Sequence, residues 1–154
     1  MYKQKLCLGL MPSLPETPEE QVKLIKAAGF EGIFADWSAT GSLDEVAKAA
    51  KEEGLIFQSI HAPFKRAADM WHENEEKAEA AVAELIACLD DCKRLCVPIM
   101  VAHAFIGFDE HNPTPLGIKR FERVVKAAEE RGIKLALENT EGEEYLDALM
   151  EAFK

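Results

Sequence analysis

A chain of 154 residues has the length of one domain and is long enough to bury a core of its own. Its 48% hydrophobic and 30% charged residues are the proportions of a globular protein, and no apolar run reaches the ~20 residues of a membrane helix. A net charge of -10 with no dense stretch of Lys or Arg disfavours nucleic acid. The start, Met1-Tyr2-Lys3-Gln4-Lys5, leads into an apolar segment too short for a signal peptide, so the expected setting is cytoplasmic with neither nucleic acid nor membrane as partner.

Lys5 to Leu10 reads as a first strand. Thr17-Pro18-Glu19-Glu20 then supplies an N-cap, a proline at the first helical position and a glutamate three residues after the cap, predicting a helix that runs to Gly29. A second apolar run, Glu31 to Asp36, is followed by the capping sequence Ser42-Leu43-Asp44-Glu45 and a helix to Gly54. Leu55 to His61 is the third strand. A longer helix spans roughly Glu73 to Cys96, with Ala78, Val82, Leu85, Ile86 and Leu89 recurring at three and four. Pro98 to His103 is the fourth strand, Thr114-Pro115 opens a helix to Gly132, and Ile133 to Glu138 is the fifth strand. A last helix begins near Gly142 and carries Tyr145, Leu146, Leu149, Met150 and Phe153.

Strand and helix alternating in this way predict an α/β domain over residues 1–154, with five parallel strands and right-handed crossovers. The strands are dense in Ile, Leu, Val and Phe, the pattern expected when both sheet faces are covered. Five βα units fall short of a closed eight-stranded barrel, and the chain stops inside an amphipathic helix, so the expectation is a fragment, which the family resemblance given below implies to be a partial barrel. Cys88, Cys92 and Cys96 share one helix face with Leu85, Leu89 and Leu95, and are expected to be small buried hydrophobes in a reducing compartment.

The last four strands end in Asp36, His61, His103 and Glu138. Parallel strands gather their C-terminal residues on one rim, where such folds place their chemistry. Two imidazoles and two carboxylates there suit a metal ion and a proton-transfer base. Glu138, at the end of a strand expected to be buried, is the candidate ligand and base. His61 and His103 are candidates to ligate a metal or hold a substrate hydroxyl. Asp36 is a candidate for a substrate hydroxyl and Trp37 for an apolar wall against a sugar ring. His72 and His111 read as solvated loop residues, and no serine or cysteine has the setting of a nucleophile.

His61-Ala62-Pro63-Phe64, Val101-Ala102-His103 and Leu137-Glu138-Asn139-Thr140 resemble the xylose isomerase-like TIM-barrel superfamily, as does Gly29-Phe30-Glu31-Gly32-Ile33 followed by Asp36-Trp37. That superfamily includes sugar-phosphate isomerases and epimerases, inosose dehydratases and endonuclease IV. The resemblance covers the chain and the first five-eighths of the barrel. It implies that Glu138 is a metal ligand and a proton-transfer group, with His61 and His103 as metal ligands in the endonuclease branch or substrate contacts in the sugar branches. It implies a divalent metal (manganese, magnesium or zinc), weakly held by this chain, and a sugar or sugar phosphate as substrate. The implied reaction is proton transfer next to a carbonyl, as in an isomerase or epimerase. The ligands of strands six to eight have no counterpart here, so the chain alone is expected to be inactive and to form a homo-oligomer through its open sheet. The alternatives are a metal-dependent phosphodiesterase like endonuclease IV, which the acidic charge disfavours, and a non-catalytic partial barrel that assembles with a partner.

Overall fold

The computed structural model describes residues 4–37, 40–108, 112–138 and 141–154. Five strands alternate with five helices: β1 (Cys7–Gly9), α1 (Pro18–Ala27), β2 (Gly32–Asp36), α2 (Leu43–Glu52), β3 (Ile56–His61), α3 (Glu75–Arg94), β4 (Ile99–His103), α4 (Pro115–Arg131), β5 (Lys134–Glu138) and α5 (Glu143–Ala152). A 3-10 turn, Ala68–Trp71, which the sequence pattern does not announce, lies between β3 and α3. The strands form one parallel sheet in the order β1-β2-β3-β4-β5, so β1 and β5 are its two edges.

The helix starts follow from local hydrogen bonding. Glu20 N–H donates to the Thr17 hydroxyl while Thr17 N–H donates to the Glu20 carboxylate, closing the expected capping box. The side chains of Ser42, Asn74 and Thr114 accept the backbone N–H of Glu45, Lys77 and Gly117 at the starts of α2, α3 and α4, each such cap contributing about 1 kcal/mol. Cys96, just past the end of α3, has φ +58°. A side chain there is strained by ~1 to 2 kcal/mol relative to glycine. Cys96 is also exposed, whereas Cys88 and Cys92 are fully buried, so the expected buried cysteine stripe stops at two.

Partners in a parallel register share a sheet face. Ile33, Ala35, Ile60, Met100 and Ala102 lie on the helix side and are each at most 1% exposed. There they meet Val46, Leu89, Val124 and Phe121 from the helices. The other face is open: Phe34 is 41% exposed, and burial along β5 alternates between exposed and intermediate. Dense apolar strands thus cover one face, not both as expected.

Between β2 and β3 the register slips. Ile33 pairs with Phe57 and Phe34 with Ser59, leaving Gln58 as an extra residue in β3. Phe57 therefore packs on the helix-side core, while Ser59 and His61 stand on the open face with Phe34 and Asp36.

Candidate metal centre

Register alone brings the candidate residues to one face. Asp36 pairs with His61; His61 pairs with Val101, two residues before His103; and His103 pairs with Glu138. All four sit at C-terminal strand ends, so they also share a rim. Among the described residues, one group offers metal-ligand geometry: His61, His103 and Glu138, whose donor atoms all lie within 4.8 Å of one another.

The His61 tautomer follows from its neighbour. Its Nδ1 lies 2.8 Å from the Ala62 carbonyl oxygen, which can only accept, so Nδ1 carries the proton. Nε2 then directs a lone pair into the site, where Glu138 Oε2 stands 3.8 Å away. A positive charge between these two atoms, a proton on Nε2 or a metal ion, would bridge them. The imidazoles of His61 and His103 have centroids 5.0 Å apart, and Phe64, 46% exposed, meets their rings edge-on at 6.0 and 5.8 Å.

Donors bonded to zinc at about 2.1 Å cannot stand more than about 4.2 Å apart. The spread of up to 4.8 Å exceeds that limit only slightly, within the reach of small side-chain rotations. Two imidazoles and one carboxylate leave further coordination positions open, as a catalytic site requires. These residues fit a divalent cation.

Glu138 departs from its expected setting in one respect. It ends an edge strand and is largely hydrated, so the desolvation expected of a carboxylate on a buried strand does not arise. His103 is the desolvated member. Burial holds its pKa below the ordinary 6.5, the nearby His61 lowers it further, and Glu138 and Glu141 partly oppose the shift. In the window between that lowered value and 6.5, the unfolded chain binds more protons than the folded one. The His103 contribution to stability is therefore complete above 6.5 and is lost as pH falls through the window. Imidazole resonances followed by NMR in the metal-free protein are expected to show His103 titrating below 6.5; an upward shift would contradict the site's geometry.

Asp36 lies on the open face beside His61, and its backbone is pinned by Thr40, whose hydroxyl accepts from Asp36 N–H at 2.8 Å. Trp37 is placed differently. Its indole N–H donates to Asp91 of α3 at 2.8 Å and its ring packs against the core, apart from the His-His-Glu group. His72 is an exposed loop residue, as expected. His111, Asn139 and Thr140 lie outside the described residues.

Sequence reasoning missed the framework behind the site. Trp71 is buried, and its indole N–H donates to the carbonyl of Ala104, the residue after His103, at 2.8 Å. Its ring contacts Phe121 and Tyr145, and Tyr145 stacks on Phe105 at 4.1 Å. The loops after β3 and β4 and the start of α5 are thereby tied together. Arg120, its side chain 5% exposed, donates to the carbonyls of Met70 and His72 at 2.8 and 2.7 Å and to Glu75, fixing the same β3–α3 loop.

The chain's shape is shared with larger proteins. It superposes on 3-keto-D-glucoside 4-epimerase from E. coli with a TM-score of 0.67 and 21% identity, over 88% of this chain and 56% of that one. The corresponding values for an L-ribulose 3-epimerase are 0.75, 17%, 97% and 57%. For the IOLI protein, solved with a bound zinc atom, they are 0.70, 19%, 88% and 51%. The chain thus spans less than two thirds of the length of these proteins, and at such identities the likeness establishes the fold alone. No curated protein matches the sequence. No helix among the described residues is long and apolar enough to cross a membrane. Residues 22–151 match the family model described as xylose isomerase-like TIM barrel, which runs from within α1 through most of α5 and takes in the whole His61, His103 and Glu138 cluster, and the chain belongs to that family.

Proposed function

We propose that this chain carries the cation-binding portion of a sugar or sugar-phosphate isomerase or epimerase, with His61, His103 and Glu138 holding a manganese, magnesium or zinc ion. The observation behind this reading is the apposition of His61 Nε2 and Glu138 Oε2 at 3.8 Å beside His103. Relatives of the same fold are epimerases by name, and solved members hold zinc or magnesium. A divalent cation in such a site polarises a substrate carbonyl and stabilises the negative charge that develops on its oxygen. Hydrated Glu138 abstracts or returns a proton at the adjacent carbon. Asp36 accepts from a ligand hydroxyl, and the exposed face of Phe64 lies against the C–H side of a sugar.

Manganese titration followed by electron paramagnetic resonance tests the reading. Wild type is expected to bind weakly, and Glu138→Ala to weaken binding roughly ten-fold or more. Equal affinity in the two proteins would remove Glu138 from the site.

A further inference from the structure

Each histidine of the site is followed by a buried alanine whose backbone ties one strand end to the next. Ala62 N–H donates to the Val101 carbonyl of β4 at 2.8 Å, and Ala104 N–H donates to the Glu138 carbonyl of β5 at 3.0 Å. The carbonyls of the two alanines are used differently. That of Ala62 lies 2.8 Å from Nδ1 of its own histidine, whereas that of Ala104 accepts the indole N–H of Trp71 at 2.8 Å. Ala104 is thus held on both sides, by a ligand residue of the edge strand and by a side chain from the β3–α3 loop.

The indole can direct that bond because its own backbone is gripped. Arg120 donates to the carbonyls of Met70 and His72, on either side of it, and the Thr114 hydroxyl donates to the carbonyl of Trp71 at 3.1 Å. Three successive carbonyls are thereby fastened to α4 and its N-cap. The ring also lies against Gly117, where a Cβ would stand 2.1 Å from its Cε3. A buried indole needs an acceptor for its N–H, and any free carbonyl would serve. The one used here belongs to the residue that joins His103 to Glu138.

We propose that Trp71 is a positioning residue for the cation site, its indole N–H setting the separation of His103 and Glu138 through Ala104. The inference rests on the cation reading of His61, His103 and Glu138. Metal–donor distances tolerate errors of only ~0.2 Å. Among the described residues β5 pairs with β4 alone, so the contact through Ala104 bears directly on where Glu138 stands. Without the indole bond the end of β4 slackens and the donors drift apart.

Two replacements remove the N–H. Trp71→Phe keeps most of the packing, and β-(3-benzothienyl)alanine at position 71 keeps the bicyclic shape as well. Both are expected to weaken manganese binding about ten-fold, read by electron paramagnetic resonance at a temperature where circular dichroism shows the proteins folded. Should Trp71→Phe fail to fold, the benzothienylalanine protein decides alone. Val22→Ala is the comparison, since Val22 is fully buried in α1, which packs on α2 and β2. It is expected to lower the urea midpoint and to keep the manganese affinity of wild type. A purely structural Trp71 would behave as Val22 does. Wild-type affinity in the benzothienylalanine protein, or an equal loss in Val22→Ala, would overturn the positioning role and leave the cation reading intact; no binding by wild type sinks both.

Discussion

Trp71→Ala is expected to remove about 4 kcal/mol of stability, the range for deleting a large buried aromatic being ~3 to 5 kcal/mol. The ring is 4% exposed and lies between Phe121 and Tyr145, so its removal opens a cavity that both neighbours line. It also strands the Ala104 carbonyl, which accepts the indole N–H. With a total of ~5 to 15 kcal/mol available to a domain, such a loss brings the protein close to unfolding. Urea denaturation should show the midpoint falling by roughly 2 M. Trp71→Phe separates the two contributions, because it keeps most of the packing and loses only the hydrogen bond, with an expected cost of ~1 to 3 kcal/mol. Gly117→Ala attacks the same contact from the other side. Alanine is the better helix former by about 1 kcal/mol, yet its Cβ would stand 2.1 Å from Trp71 Cε3, so the variant should be less stable than wild type. A wild-type midpoint for Trp71→Ala would mean that the three loops are held by something other than this ring.

Self-association is the second large effect expected of the 154-residue chain. Among the described residues, no strand pairs with the outer edge of β1 or of β5. Beside β1, the exposed side chains of Leu8, Met11, Leu14 and Leu24 surround an apolar groove of about 240 Å³. Beside β5, Leu135, Leu137, Met150 and Phe153 line a second groove of about 290 Å³. Each leucine withdrawn from water contributes ~1.5 to 3 kcal/mol, while repulsion between chains of charge -10 is screened beyond ~8 Å at physiological salt. Burial therefore outweighs repulsion once a few such side chains are covered. Sedimentation equilibrium is expected to give a mass above 17.1 kDa that rises with concentration. Leu24→Glu should weaken association about ten-fold or more, since each 1.4 kcal/mol is a factor of ten. A monomer at every concentration would show that these edges are tolerated in water.

The parts of this molecule that were legible in its sequence are those written in local chemistry. Thr17, Ser42 and Thr114 cap the helices they were expected to cap, because capping is decided within three residues. His61, His103 and Glu138 meet because parallel strands align their ends, a consequence of topology that needs no knowledge of packing. What the sequence hid depends on distance along the chain. Trp71 reaches Ala104 across 33 positions and Arg120 reaches Met70 across 50, and neither pairing leaves a periodic trace. The exposure of Glu138 was hidden because an apolar strand reads the same at the edge of a sheet as at its centre.

The extra residue in β3 divides that strand into two halves with different obligations. Up to Phe57 the alternation serves the core; from Ser59 onward it serves the rim. Because side chains alternate with a period of two, removing one position would send either Phe57 into solvent or His61 under the helices. Gln58 therefore matters by its presence in the count and hardly at all by its chemistry. Exchange of its side chain for alanine is a small change, whereas its deletion should separate His61 from Glu138 without touching either residue. The site is thus guarded by chain length at a position where no functional group would draw attention.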